Sequence, residues 1–350
     1  MAKKIVHILS DVFFSGAENM VCQIMDMFRG EYDMVYVSPD GPIRQALEER
    51  QVRYLPIRAV TPGEIRRVLE AEKPDMVHAH DMKATVAAAF GCGKTPLICH
   101  IHNNGFDSRK VSPKTLAFLV ASPKIRHIFW VSPSAMESYR FYGAVKGKSS
   151  VLRNVIRADV LEEKAKNAQL QTRYDILFLG RMSEPKNPLR LIRVLNLVYD
   201  RYPALQAAIV GKGDLEPQVR QAIEDSGAEG YIHLLGYQTN GYGLLQNAGL
   251  MLMTSLWEGT PMCALEAMAL GTPIVSTPVD GLCDLVDPGK TGFLEGTDEA
   301  LAERCAAILK DGDLRAELSR GTLQKAKILL DLESYKQELR KAYEEKGDSQ

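Results

Sequence analysis

Short apolar runs rich in β-branched residues recur along the chain, separated by stretches whose apolar positions return every three to four residues. In the first half the runs are Ile5 to Ser10, Met34 to Ser38, Val52 to Ile57, Met76 to Ala79, Leu97 to Ile101 and Ile128 to Val131. Strands buried on both faces read as such continuous runs, and the intervening stretches are long enough for the helical crossovers that parallel strands need. One crossover carries its own start signal. Thr61 is followed by Pro62 at the first helical position and by Glu64, ahead of a periodic stretch to Lys73. The pattern predicts a doubly wound α/β domain with a parallel sheet.

From Arg157 to Arg173 the chain turns polar and loses strand character. A second series then begins: Ile176 to Leu179, Ala207 to Val210, Ile232 to Leu235, Leu250 to Met253 and Pro273 to Ser276. Beyond Asp298 the sequence is helical and charged, and Leu332 to Lys346 is a last amphipathic stretch. The expected organisation is a Rossmann-like domain over 1–155, a linker over 156–173, a second Rossmann-like domain over 174–330, and a helix within 331–350 that packs back across the junction. A length of 350 residues suits two domains.

Composition narrows the class. Hydrophobic residues at 45% and charged residues at 25% exclude a disordered chain. No run of 18 uncharged apolar residues occurs, and the opening Met-Ala-Lys-Lys leads directly into a strand, which predicts a cytoplasmic protein without a span or secretory leader. The six cysteines (22, 92, 99, 263, 283 and 305) lack C-x-x-C spacing, so neither disulfides nor zinc are expected. The net charge of −1 conceals an asymmetry: residues 1–155 carry 21 Lys+Arg against 15 Asp+Glu. That basic half includes the apolar run Leu116 to Val120 between Arg109 and Arg126, a combination that suits peripheral contact with an anionic membrane surface on its inner face.

In parallel sheets ligands bind beyond the carboxyl ends of strands, which directs the search for chemistry to the loops there. After Ile176 to Leu179 come Arg181 and Lys186, followed by Asn187 as a helix cap and Pro188 as the first helical residue. A planar fork, a point charge and free helix N–H groups together suit a phosphate or diphosphate. After the strand read as ending at Leu256-Trp257 comes Glu258, then an apolar helix in which Glu266, two turns in, is the only charge between Gly259 and Val279. An unpaired carboxylate in such surroundings is costly, so Glu266 is expected to face a polar ligand, and with Glu258 it would satisfy hydroxyl groups.

These motifs resemble the retaining GT-B glycosyltransferases of family four, over nearly the whole chain from Ile5 to about Lys346. The resemblance implies two Rossmann-like domains facing across a cleft, acceptor side first and donor side second. It implies a donor diphosphate held by Arg181 and Lys186, ribose hydroxyls held by Glu266, and a transferred sugar contacted by Glu258 and the backbone of Gly259, Thr260, Pro261 and Met262. The glycine-rich first loop of the family is similar to Ser15-Gly16-Ala17-Glu18, with Ser15 where a second glycine is usual and Gly16 on the donor. His102 resembles the family histidine that lines the sugar pocket. The implied activity is retaining transfer of a sugar from a nucleotide-diphosphate sugar, a UDP-sugar, to a glycan or lipid-linked acceptor in polysaccharide or glycolipid biosynthesis. No cofactor, metal or nucleic-acid partner is implied. A nucleotide-sugar epimerase of the same fold and a non-catalytic nucleotide-sugar-binding subunit are the alternatives.

Other motifs point less far. Gly91-Cys-Gly-Lys94-Thr95 follows a helical stretch and precedes a strand, the reverse of a P-loop. Gly211-Lys-Gly lacks the third glycine of the dinucleotide fingerprint. His78 and His80 with His100 and His102 have strand spacing for a shared metal, but no further ligand set in the sequence supports one. Asp311-Gly-Asp313 reads as a break between helices.

Overall fold

The protein is described by a computed structural model covering residues 2–102, 106–168, 172–238 and 240–345. It divides into two compact units, the first comprising Met1–Asn154 and Leu332–Gln350, the second Val155–Asp331. Among the described residues each unit is built on one parallel sheet. In unit 1 the strands are β1 (Lys4–Ile8), β2 (Asp33–Pro39), β3 (Tyr54–Ile57), β4 (Met76–Ala79), β5 (Leu97–Ile101), β6 (Ile125–Trp130) and β7 (Ser149–Val151), in the order β3-β2-β1-β4-β5-β6-β7. In unit 2 they are β8 (Ile176–Leu179), β9 (Ala207–Val210), β10 (Ile232–Gly236), β11 (Leu250–Met253), β12 (Ile274–Ser276) and β13 (Gly292–Leu294), in the order β10-β9-β8-β11-β12-β13. Helices join them, so both sheets are doubly wound, as the alternation of apolar runs and periodic stretches requires.

The central strands are buried along their whole length: β4, β5, β9 and β11 expose no residue to solvent. The cap at Thr61 forms, its hydroxyl accepting from the Glu64 N–H at 3.3 Å, and the helix it opens ends at Lys73 in a left-handed conformation. The short strands β7 and β13 are not visible in the sequence pattern. Each is three residues at a sheet edge and offers too little apolar run to register.

The segment expected as a linker contains a helix, Ala158–Lys166, whose Leu161 and Ala165 pack into the core of unit 2 with Leu245, Leu265 and Met268. Its other faces are polar, which is why composition alone reads it as a junction. Residues 169–171 of that segment lie outside the described residues, as do Lys346 and the residues after it. The last described helix, Leu332–Glu344, belongs to unit 1. It buries Tyr335, Leu339, Ala342 and Tyr343, and its last turn accepts from Lys3 Nζ (3.0 Å, Tyr343 carbonyl) and an Arg126 Nη (2.6 Å, Ala342 carbonyl).

Candidate functional site

The winding of unit 2 reverses between its adjacent strands β8 and β11, and such a reversal opens a crevice at the carboxyl ends of the two strands. Arg181 and Lys186 leave β8 there, and Glu258 and Glu266 follow β11. The loop after β8 lies on the loop after β9. Gly180 N–H donates to the Val210 carbonyl and Met182 N–H to that of Lys212, both at 3.0 Å. Glycine is needed for this approach: at Gly211, φ +136°, a Cβ would sit 1.9 Å from the Gly180 carbonyl oxygen, and at Gly213 one would sit 2.3 Å from that of Met182.

A short 3₁₀ turn, Glu184–Lys186, then runs into Asn187 at φ +49° and the helix Pro188–Arg201, so Asn187 and Pro188 take the expected positions while the Asn187 side chain makes no capping bond. Lys186 Nζ lies 2.6 Å from Glu258 Oε1, and the Ser255 hydroxyl donates to the same oxygen at 2.6 Å. The lysine and glutamate side chains are 18% and 10% exposed. Burial alone would push the Lys186 ammonium down, but Cys263 and Glu258 beside it hold it above its ordinary value. The Cys263 thiol is itself pushed up to about 11 by burial. Arg181 is exposed and near enough to Lys186 to oppose its charge.

Strand β11 ends at Met253, earlier than the expected Leu256-Trp257, because the next residues are drawn to the β8 loop. The Thr254 hydroxyl donates to the Asn187 carbonyl at 3.0 Å, and Leu256 N–H to that of Pro185 at 2.8 Å. Glu258 is therefore a loop residue. The following helix begins only after Pro261, at Met262–Ala269, which places Glu266 about one turn in instead of two. The helix is buried at Ala264, Leu265, Ala267, Met268 and Ala269, while Glu266 keeps partial exposure and receives a hydrogen bond from the Tyr242 hydroxyl. Burial pushes its carboxyl up to about 7, against the pull of Tyr242, Lys164 and Lys186. Gly259, Thr260 and Pro261 are buried and Met262 is half-buried. Gly281 closes over this loop, where a Cβ would sit 1.4 Å from the Gly259 carbonyl oxygen.

The structure thus brings together Arg181, Lys186, Glu258 and Glu266. Sequence reading missed Ser255, Tyr242 and Cys263, which are neutral residues in apolar company and carry no signal of their own. In unit 1, Ser15 caps the helix Gly16–Met27 and forms a reciprocal box with Glu18, so the residue that departs from the double glycine has a helix-starting role and leaves Gly16 exposed as the first helical residue. His102 follows β5 with both ring nitrogens engaged inside unit 1, Nε2 at 3.0 Å from His80 Nδ1 and Nδ1 at 3.3 Å from Asn154 Oδ1. Asn103, Asn104 and Gly105 of its motif lie outside the described residues. Gly91 to Thr95 is a turn between the helix Met82–Gly91 and β5, and Asp311 caps the helix Gly312–Leu329.

Two family models match in succession, Glycosyltransferase Family 4 over residues 14–160 and Glycosyl transferases group 1 over residues 159–325. The chain belongs to these glycosyltransferases. It is 26% identical over 319 residues to an uncharacterized glycosyltransferase, MJ1059, of Methanocaldococcus jannaschii, covering 75% of this chain and 78% of that protein. It is 22% identical to the UDP-Gal:alpha-D-GlcNAc-diphosphoundecaprenol alpha-1,3-galactosyltransferase of Escherichia coli, covering 83% of each. Among solved structures, Anabaena Alr3699/HepE in complex with UDP-glucose superposes with a TM-score of 0.85 at 19% identity, over 97% of this chain and 98% of that one. The fold of the glycosyltransferase is GT-B. None of its described helices is long and apolar enough to cross a membrane.

Proposed function

We propose that this glycosyltransferase transfers a sugar, with retention of anomeric configuration, from a UDP-sugar to a glycan or lipid-linked acceptor in polysaccharide or glycolipid biosynthesis. The observation that carries the proposal is the convergence of Lys186, Arg181, Glu258 and Glu266 at the reversal between β8 and β11. Lys186 gives one N–H to Glu258 and has two left, and with the Arg181 guanidinium it would take the charge that develops on the leaving diphosphate. Glu266 would accept from ribose hydroxyls. Glu258, fixed by Ser255 and Lys186, would hold the transferred sugar, with the backbone from Gly259 to Met262 around it. Gly16 would approach the donor from a helix start. The two cations neutralise the diphosphate, and no metal is assigned to that step. The UDP and lipid-linked assignments draw on what the Anabaena and E. coli proteins are named for.

A nucleotide panel followed by product analysis tests this reading. At a hundred times Kd a ligand adds about 2.7 kcal/mol, so UDP compounds should raise Tm by several degrees, more than other nucleotides do, and EDTA should leave that increment unchanged. NMR of the glycosidic linkage should show the donor's anomeric configuration. An inverted linkage, or conversion of UDP-sugar to its isomer without acceptor, overturns the proposal.

Unit 1 would meet an anionic lipid surface through the helix Pro113–Ala121 and its neighbours. Leu116 and Val120 are 43% and 67% exposed, and Phe90 and Val111 are exposed too. From Met82 to Trp130 there are seven Lys or Arg and one acidic residue, Asp107. Co-sedimentation with anionic but not zwitterionic vesicles is expected, and equal or no binding to both removes this partner.

A further inference from the structure

The face of the unit 1 sheet that carries His102 also carries His7 on β1, His78 on β4, His80 just beyond β4 and His100 on β5, and the four are at most 1% exposed. Their rings are stacked or tilted against one another, with centroids between 4.0 and 6.0 Å apart. Buried polar groups are almost always bonded, yet His7 Nε2, His78 Nε2 and His100 Nδ1 have no partner among the described residues. We propose that His80, His100 and His102 form a buried site for one late first-row transition cation, of the zinc class.

The hydrogen bonds select these three. One ring nitrogen of each lies within 4.8 Å of the other two. His102 Nδ1 faces Asn154 Oδ1 at 3.3 Å, and His100 Nε2 faces the Leu152 carbonyl at 3.2 Å. Both of those nitrogens must therefore donate, which leaves His102 Nε2 and His100 Nδ1 as lone pairs. His80 bridges two rings, with Nε2 2.9 Å from His7 Nδ1 and Nδ1 3.0 Å from His102 Nε2, so without a metal its Nδ1–H donates to the His102 lone pair. A bound cation would displace that proton, with His80 and His7 exchanging tautomers so that His80 Nε2–H donates to His7 Nδ1. Each imidazole thus has an outer partner on the nitrogen it would not use for a metal, the arrangement that orients and fixes the tautomer of ligating histidines. The other close group, His7, His78 and His80, is less complete, because His7 Nε2, the nitrogen turned away from His80, has no partner among the described residues to orient the ring. A donor set of three imidazoles suits zinc, copper or nickel and is unsuited to magnesium or calcium. His102 is the least buried of the row and gives the approach from the strand ends.

The readout is metal binding by the full chain, independent of the donor-site reading. After chelator treatment, equilibrium dialysis against Zn2+ should give one ion per chain, and Co2+ should give the visible absorption of nitrogen-only, near-tetrahedral coordination without thiolate charge transfer. His100→Asn should weaken Zn2+ binding about a hundredfold or more, and Asn154→Ala about tenfold, while His127→Asn, outside the row, should change nothing. If His100→Asn does not fold, the ring NMR shifts of the wild-type histidines on Zn2+ addition decide. Sub-stoichiometric binding, Zn2+ affinity that His100→Asn leaves intact, a thiolate band with Co2+, or unshifted ring signals would each overturn the site.

Discussion

Between pH 6 and pH 8 the affinity for a UDP-sugar should rise about tenfold, because the ionised form of Glu266 is the one that accepts ribose hydroxyls and its carboxyl is pushed up to about 7. About a tenth of the chains carry the carboxylate at pH 6 and about nine tenths at pH 8, a difference of about 1.4 kcal/mol in binding. Binding near pH 7 should release about half a proton, measurable by titration calorimetry in buffers of different ionisation heat. A UDP-sugar is the right probe, since its diphosphate diester does not titrate in this window. Without ligand the sign is opposite. The folded pKa lies above the unfolded value of 4.5, so the neutral carboxyl favours the fold below pH 4.5 and that advantage is lost as pH rises through 7. With partial exposure allowed for, the loss is about 2–3 kcal/mol. Glu266→Gln keeps the shape and removes the charge, so its binding should not vary with pH and its stability relative to wild type should improve by that amount between pH 4.5 and pH 8. A flat wild-type profile, or a Gln variant that still releases the proton, refutes the reasoning.

Arg181 and Lys186 should separate stability from turnover. Arg181→Ala, at an exposed position, should cost under about 0.5 kcal/mol in denaturant unfolding but reduce kcat about a hundredfold, since it removes a charge that acts on the departing diphosphate. Lys186→Ala should lower kcat similarly and also destabilise by about 2–3 kcal/mol, because it leaves Glu258 buried with Ser255 as its remaining partner. Equal stabilities for the two variants contradict the ion-pair geometry. Gly211→Ala should weaken nucleotide binding, read by thermal shift, since the added Cβ displaces the Gly180 carbonyl that leads into Arg181. Unchanged binding means that loop does not set the site. Removing residues 332–350 should destabilise unit 1 by several kcal/mol, because it strips buried Tyr335, Leu339 and Tyr343, and a chain with unaltered unit 1 hydrogen-exchange protection refutes this.

The strands that could be read from sequence span at least four mostly apolar residues or, like β12, lie inside the sheet, and even the partly exposed edge strands β3 and β10 reach that length. Those that could not, β7 and β13, sit at sheet edges and span three residues each. The same logic holds in the site. Glu266 stands out as a lone charge in an apolar helix, and Arg181 and Lys186 as cations between a strand and a helix. Tyr242 and Ser255 bond those carboxylates from positions that any core residue could occupy, so only the folded chain reveals them.

The histidines show what sheet order adds to spacing. His78 and His80 share a face by their two-residue period, as do His100 and His102, and sequence takes the argument that far; the β4–β5 register joins the two pairs. His7 is a single histidine in an apolar strand, 71 positions before His78. It enters the row only because β1 pairs with β4, in a register that sets His7 opposite His78. His7 is also the outer partner of His80, while Asn154 is that of His102, and neither lies near the others in sequence. A metal site judged on ligand spacing alone therefore looks unsupported in this chain, whereas one judged on the partners of the outer nitrogens is nearly complete. The order β1-β4-β5 places His7 on one side of the His80 ring and His102 on the other.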